Sequence, residues 1–267
     1  MGVIPLSPLD LTIAALLVLA LAALTFRERP RQARSLLIAA ARTVAQLLLL
    51  GLVLESIFST GNWLWIMLLM MLMAAVAGHE VNARQHRPFA GWAGYGLGTA
   101  SMFASTFSVL MLTLLVIVQP QPWYKPQYAI PLFGMLLGNG MTGVALALDR
   151  LTEGAWRQRE LIEGRLMLGQ SWRAAIHDVR VEALRSGLMP IINAMAAAGI
   201  VSMPGMMTGQ ILGGSSPMDA ARYQILIMFL ITAASGLGAL LAVGIGSRRL
   251  FDERQRLSLS RLRPVRE

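Results

Sequence analysis

The chain contains no cysteine and only one lysine among its 267 residues. Without cysteine it can form no disulfide, no thiolate metal site and no cysteine nucleophile, and the redox compartment stays open. The single lysine, Lys125, is followed by proline, and the phosphate-binding pattern GxxxxGK(S/T) is absent. The patterns HExxH, GxSxG and CxxC are absent as well. We therefore expect no ATP hydrolysis, no other enzymatic activity and no bound cofactor on this chain.

Charged residues are also scarce, since they make up 14% of the chain against roughly 25% in soluble domains. Hydrophobic residues make up 55%, and the mean hydropathy is +0.59. The net charge of +9 would suit a nucleic-acid partner, but the arginines lie between apolar blocks instead of forming one basic face. These features predict an integral membrane protein in contact with lipid and with no nucleic-acid partner.

Long apolar blocks predict an all-α fold, because a helix needs roughly 17 to 25 mostly apolar residues to cross a bilayer core. The start, MGVIPLSPLD, lacks the basic region of a cleavable signal peptide, so the first block is expected to remain as a span. The third block is short and the fourth is long, which favours a tilted or broken helix in each. The seven blocks are Leu9–Phe26, Leu36–Leu54, Trp63–Gly78, Gly91–Val118, Tyr128–Leu148, Leu188–Gly213 and Tyr223–Gly246.

The arginines predict the orientation of these spans, because Lys and Arg near span ends collect on the cytoplasmic side. Alternate loops hold 20 of the 23 basic residues: four in 27–34, two in 79–90, seven in 149–187 and seven in 247–267. The opposite loops hold only Lys125 and, at a span edge, Arg222. We expect the N-terminus outside, the C-terminus in the cytoplasm, and residues 1–267 forming one membrane domain. The basic, weakly patterned tail from Arg248 predicts a disordered or membrane-surface end.

One long polar segment, Asp149–Gly187, interrupts the apolar blocks on the predicted cytoplasmic side. Residues 156–168 predict a helix that Gly169 ends, because glycine suits the left-handed position after a helix. Ser171 can cap a second helix, in which Trp172 begins an apolar pattern at helical spacing. The residues alone are equally compatible with two interfacial helices anchored by Trp156 and Trp172.

Proline and methionine interrupt the sixth block. Pro204 and Gly205 predict a kink or an unwound stretch, which is tolerated at membrane depth only where protein or a water-filled cavity covers the backbone. Met203, Met206 and Met207 surround this break. Their thioethers could bind a soft metal, although flexible packing beside a kink is the stronger interpretation.

Four further polar residues lie in or beside the spans. Arg42 is costly in a membrane unless it is paired, faces a cavity or reaches the interface, and Gln46 lies one helical turn further on the same face. Glu80 is the best acidic candidate for a metal ligand, although a solvated interfacial carboxylate is the stronger interpretation. Asn139 lies between two glycines, where it could line a translocation path or lock helices together.

Several stretches together resemble the FetB-type family of iron-export permeases from about Arg27 to Arg249. Glu163 and Gly169 resemble the EAA loop of ABC-transporter permeases, although Gly164 and Arg165 replace its two alanines. The other matching stretches are Ile130–Asn139, Gly199–Gly209, Ala221–Ile225, Arg42 with Gln46-Leu47, and Gly51 with Ile57-Phe58.

This resemblance implies a permease that pairs with a separate FetA-like ATP-binding subunit, which would hold ATP and Mg²⁺. It also implies a permease homodimer, export of iron or a related metal, and a coupling loop in which Glu163, Gly169, Ser171 and Trp172 face the ATPase. Plant members are linked to aluminium tolerance and nucleotide-sugar transport, so the family does not fix the substrate. The alternatives are a secondary transporter or channel that works alone, and a membrane scaffold.

Overall fold

The computed structural model describes residues 7–264, and the long elements within them are helices, as predicted. The α-helices are α1 (Pro8–Glu28), α2 (Pro30–Thr60), α3 (Trp63–Ala83), α4 (Trp92–Leu112), α5 (Pro126–Arg157), α6 (Arg159–Met167), α7 (Trp172–Ala175), α8 (His177–Ala197), α9 (Gly205–Leu212) and α10 (Pro217–Arg249). A π-helical segment, Thr113–Val118, follows α4 directly. A 3-10 turn, Leu259–Arg261, lies in the C-terminal tail.

The helix ends follow from local sequence. Ser216 caps α10, since its hydroxyl accepts the backbone N–H of Asp219 at 3.1 Å, and Pro217 occupies the first helical turn, where a missing N–H costs nothing. At the C-terminal end of α2, Gly61 adopts a left-handed φ of 60° and ends the helix. A residue with a side chain would be strained in that conformation.

Helix α5 is the centre of the bundle and packs against α3, α4, α8 and α10. Small residues let these helices approach closely, as in many membrane proteins. A side-chain carbon at Gly187 of α8 would lie 2.8 Å from the Ala147 Cβ of α5 and 3.4 Å from the Ala239 Cβ of α10. Gly187 therefore marks a tight junction of three helices.

Six of the described helices are long and apolar enough to cross a membrane. The remaining predicted span, Leu188–Gly213, is divided between the end of α8 and α9. Residues 198–204 between them are turned by Gly199, whose φ is 83°, and its N–H donates to the Ser202 carbonyl at 2.9 Å. Pro204 and Gly205 lie where the chain resumes its helix, so the interruption occurs where the sequence predicts one.

The first two helices form a hairpin at the edge of the bundle. α1 packs against α2, whereas α2 makes only a small contact with α5. Within residues 7–264, almost no residue in the most apolar stretches of α1 and α2 is buried. Lipid or another protein is needed to cover this surface.

One end of the bundle, formed by residues 84–90, 149–187 and 248–264, carries most of the arginines and is called here the arginine-rich end. The tail folds back onto it: the Ala90 N–H donates to the Arg261 carbonyl at 2.7 Å, and the Arg263 N–H donates to the Pro88 carbonyl at 2.9 Å. Phe251 is buried. The disordered alternative for the tail is therefore wrong for residues 250–264, because the tail pairs with the α3–α4 loop. The membrane-surface alternative stays a prediction.

Candidate functional site

The predicted helix, glycine turn and helix are present at the arginine-rich end. They comprise α6, a turn and α7, and residues 158–176 are called here the α6–α7 hairpin. Gly169 has a φ of 82°, its N–H donates to the Leu166 carbonyl, and the Gln170 N–H donates to the Arg165 carbonyl. This bonding closes α6 as a left-handed glycine cap does. Ser171 accepts the Ala174 N–H at 3.4 Å, so it caps α7 as predicted.

The second predicted helix differs from the observed one, since α7 is a single turn and α8 begins after a break at Ile176. Ile176 and Ile162 are fully buried and anchor the hairpin to the bundle. The guanidinium of Arg165 donates to the Asp178 carboxylate at 2.7 Å and to the Ala175 carbonyl at 3.3 Å. Arg165, which replaces an alanine of the EAA pattern, therefore ties α6 to the start of α8.

The tip of the hairpin is apolar and exposed. Met167 and Leu168 precede Gly169, and each exposes 84% of its surface. Glu163 is exposed on the same helix and makes no hydrogen bond or ion pair with any residue that the structure describes. The tip thus presents two apolar side chains and a carboxylate that no residue between 7 and 264 engages.

Trp172 has a different environment from the tip. Its ring lies 5.6 Å from the Phe251 ring, and the Arg248 guanidinium lies 5.6 Å from the Trp172 ring centroid. Its backbone N–H donates to the Gln255 side chain at 3.2 Å. Trp172 is therefore a packing link between the hairpin and the tail. Sequence analysis missed Phe251 and Gln255, for which the only signal is an aromatic residue shortly after the last apolar block.

The tail that holds Trp172 is itself fixed by a charged turn. The Asp252 carboxylate accepts the Arg256 N–H at 2.8 Å and its guanidinium at 3.1 Å. The backbone hydrogen bond, above all, holds the pKa of Asp252 below its ordinary value, because it stabilises the ionised carboxylate. The Asp252 carboxylate is therefore ionised at neutral pH.

The base of the hairpin is clamped by the α3–α4 loop. The Arg87 guanidinium lies 4.0 Å from the Trp156 ring centroid and donates to Glu153 at 3.2 Å. The Asp149 carboxylate accepts the His86 backbone N–H at 2.7 Å. Trp156 is thus held by protein contacts, and the end of α5, the α3–α4 loop and the tail form one unit.

Within the spans, the structure brings together three of the predicted residues. The Arg42 guanidinium lies 2.9 Å from the Glu80 carboxylate. Both residues and Gln46 line a groove of about 730 Å³ between α2, α3 and α5, called here the α2–α3–α5 groove. Glu80 is therefore paired with an arginine instead of standing alone at the interface.

Asn139 lies outside that groove. It is exposed on α5, where its amide donates to the Met135 carbonyl at 2.8 Å. Leu146, about two helical turns further along α5, lines a cavity of about 550 Å³ with residues of α8. The α8 residues are Glu182, Arg185, Ser186, Met189, Pro190 and Asn193. The exposed surface around Asn139 and this cavity is called here the α5–α8 face. Sequence analysis missed Asn193, whose signal is a lone amide in an apolar stretch.

The three methionines near the helix interruption do not line the α2–α3–α5 groove that contains Glu80. Met203 is 62% exposed, and Met207 is half-buried. Met206 lines a separate cavity of about 340 Å³ with Tyr128, Gln210 and other residues. Within residues 7–264 no group of three or more His, Asp or Glu side chains is close enough to hold a metal ion. The proposed thioether ligation stays a prediction.

Comparison with known proteins gives relatives across most of the chain. The pattern that defines the uncharacterised protein family UPF0014 matches residues 8–251. A UPF0014 membrane protein of Synechocystis sp. is 40% identical over 83% of this chain and 85% of its own length. The protein ALUMINUM SENSITIVE 3 of Arabidopsis thaliana is 33% identical over 85% of this chain and 81% of its own length. The Escherichia coli protein named Probable iron export permease protein FetB is 26% identical over 95% and 96%.

No solved structure matches the chain significantly.

Proposed function

Because the chain belongs to the UPF0014 family of multi-pass membrane proteins, we propose that it is the permease subunit of an ABC transporter. Its substrate would be iron or a related metal, by analogy with the relative named as an iron-export permease. ATP and Mg²⁺ would bind a separate FetA-like subunit, since this chain lacks a phosphate-binding loop. The observation that carries the proposal is the folded α6–α7 hairpin with its exposed apolar tip.

The arginine-rich end faces the cytoplasm in this proposal, and the N-terminus lies outside. The distribution of arginine supports this orientation. It places Met167 and Leu168 where a soluble ATPase can reach them. The two apolar side chains would fill a groove on the ATPase, with Glu163 and the surrounding arginines at the rim of the contact.

Movement of the hairpin would reach the spans through α8. Arg165 joins α6 to Asp178 at the start of α8, and Ile176 buries the turn between α7 and α8. α8 then packs against α5 and α10 at Gly187. Because this junction leaves no free space, α8 has to move with its neighbours when the ATPase pair closes.

A homodimer would complete the translocation path at the α5–α8 face. Asn139 and Asn193 are exposed in apolar stretches, and polar side chains facing lipid are costly. A second copy packed on the same face would cover them, as the two-fold symmetry of most dimers allows. The amides, with Ser186 and Glu182 nearer the arginine-rich end, would then line a central polar path.

Transport would proceed by alternating access without covalent chemistry. Amide and hydroxyl oxygens on the path suit a hard metal ion, and Met189 adds a softer ligand. The carboxylate of Glu182 is paired with Arg150 at 3.1 Å, and Arg185 also lines this cavity. The interruption at Pro204 and Gly205 would act as a hinge near the opposite end. Export as the direction is taken from the relative named for it.

The test is reconstitution of the chain in vesicles with and without the ATPase with which it copurifies. Transport of iron, other metals and a nucleotide sugar away from the side that carries the ATPase is measured with ATP and with a nonhydrolysable analogue. The proposal requires ATP-dependent movement of a metal. Transport by the chain alone, indifferent to ATP, would instead establish a secondary transporter or channel.

A further inference from the structure

The α2–α3–α5 groove has the shape and lining of a site for a hydrocarbon chain. Its walls are mainly leucine, valine and methionine side chains, and α2 makes only a small contact with α5 there. Along α2 the lining runs from Ala39 to Val53, which at 1.5 Å per residue is about 21 Å. The apolar part of that length, from Gln46 to Val53, is about 10 Å. One leaflet contributes about 15 Å to a 30 Å bilayer core, so the apolar walls hold the part of an acyl chain nearest the headgroup.

The polar end of the groove is basic. Arg42 and Arg84 line it together with a single carboxylate, Glu80. Arg42 uses one nitrogen for Glu80 and leaves about half of its side chain exposed. Arg84 is exposed and makes no side-chain hydrogen bond or ion pair with the residues that the structure describes. One positive charge therefore remains uncompensated where the apolar walls end.

A neutral hydrogen-bonding group lies just inside this charged end. The Gln46 side chain lines the groove and makes no hydrogen bond within residues 7–264. The Thr43 hydroxyl donates to the Ala39 carbonyl at 2.9 Å, so it stays within its own helix. The groove thus passes from apolar walls, through an amide, to two guanidinium groups.

We propose that the α2–α3–α5 groove binds one membrane phospholipid with an anionic headgroup. An acyl chain lies along the apolar walls, the Gln46 amide donates to the ester region, and the phosphate is held by Arg42 and Arg84. Basic pockets between transmembrane helices bind anionic headgroups by the same chemistry. The Glu80 carboxylate keeps Arg42 in position for the phosphate. The bound lipid fills the gap between the α1–α2 hairpin and the bundle.

The occupant is a lipid and not the transported ion, because most of the groove surface is apolar and would not replace the hydration shell of a metal. A second copy of the chain is assigned to the α5–α8 face, where polar groups need cover. The groove also borders the poorly buried α1–α2 hairpin, which lipid surrounds.

The experiment measures lipid binding to the detergent-purified full chain by native mass spectrometry and thermal melting. Phosphatidylglycerol, phosphatidylcholine and inorganic phosphate are added separately. We expect retention and a higher Tm with phosphatidylglycerol, a weaker effect with phosphatidylcholine, and none with phosphate. The double substitution Arg42→Gln/Arg84→Gln should weaken phosphatidylglycerol binding about 30-fold. This factor corresponds to about 1 kcal/mol for the attraction between each arginine and the anionic headgroup.

Two controls keep the result specific. Arg31→Gln/Arg34→Gln removes two arginines of α2, the helix that carries Arg42, at positions that do not line the groove. This variant should retain the preference for phosphatidylglycerol. Leu72→Trp narrows the groove and should weaken binding of both lipids alike. Equal affinity for the two lipids, or an equal loss in the Arg31/Arg34 control, would overturn the proposal. Unchanged phosphatidylglycerol binding in Arg42→Gln/Arg84→Gln would overturn it as well.

Discussion

Replacing the apolar tip of the α6–α7 hairpin in Met167→Ser/Leu168→Ser should release the ATPase without unfolding the permease. Each of the two side chains exposes 84% of its surface in the chain alone. Complete burial of a leucine or methionine side chain stabilises by about 1.5–3 kcal/mol. At the lower figure for each residue, the double substitution removes about 3 kcal/mol of association free energy. The ATPase Kd should therefore rise roughly 100-fold.

The assay is binding of the purified ATPase to the permease in nanodiscs, with the Tm of each permease measured in parallel. Exposed positions contribute little to the fold, so the Tm should change hardly at all. Val181→Ser is the matched control, because Val181 is 53% exposed on α8 outside the hairpin. A double variant that keeps the parent Kd would refute the docking role of the tip. A control that loses as much affinity would refute its specificity.

Three further predictions test the packing and the assembly. Gly187→Val should lower the free energy of unfolding by about 1–3 kcal/mol, because the new side chain would collide with α5 and α10. Gly244→Val, which has open space around it, should lower the free energy of unfolding less, and melting curves compare the two variants. Phe251→Ala should cost about 3–5 kcal/mol and, by freeing the ring of Trp172, increase proteolysis of the tail in limited digestion; an unchanged digestion pattern would count against the packing role. Asn193→Cys should form a disulfide-linked dimer on oxidation, whereas Leu17→Cys on the peripheral hairpin should not; the chain has no native cysteine, and the reverse pattern would place the dimer interface elsewhere.

Local sequence signals predicted the hairpin well, because its turn depends on short-range chemistry. Gly169 is required by a left-handed backbone and Ser171 by an unpaired helix N–H, and both requirements are visible in the sequence. The role of Arg165 was not visible, since Asp178 reaches it only after the chain turns at Gly169. A replacement that weakened the EAA pattern is in fact a structural tie.

Contacts between distant segments were beyond the sequence. Arg42 and Glu80 were each identified as unusual, yet nothing in either helix indicates that they pair. The sequence predicts a disordered or membrane-surface tail, because the residues that anchor it, Phe251 and Gln255, follow no helical or strand period. Its order comes from Trp172 and the α3–α4 loop, which are far away in the chain.

Apolar periodicity predicted where helices lie but not how far each one continues. The fifth block was predicted as Tyr128–Leu148, whereas α5 runs from Pro126 to Arg157. Its last turns are polar and are held by the Arg87 contacts with Glu153 and Trp156. Hydropathy identifies the part of a helix that is apolar enough to lie in a membrane. It does not predict the polar turns by which protein contacts extend that helix.

The central claim is that a separate ATPase drives transport through this chain, and metal flux in sealed vesicles tests it most directly. Vesicles carrying the permease and its ATPase should move iron or a related metal only when ATP is hydrolysed. The Met167→Ser/Leu168→Ser permease should move roughly a tenth of the parent flux at an ATPase concentration about ten times the parent Kd, since its own Kd is about 100-fold higher. Equal, ATP-independent flux through the parent chain without the ATPase would contradict the account.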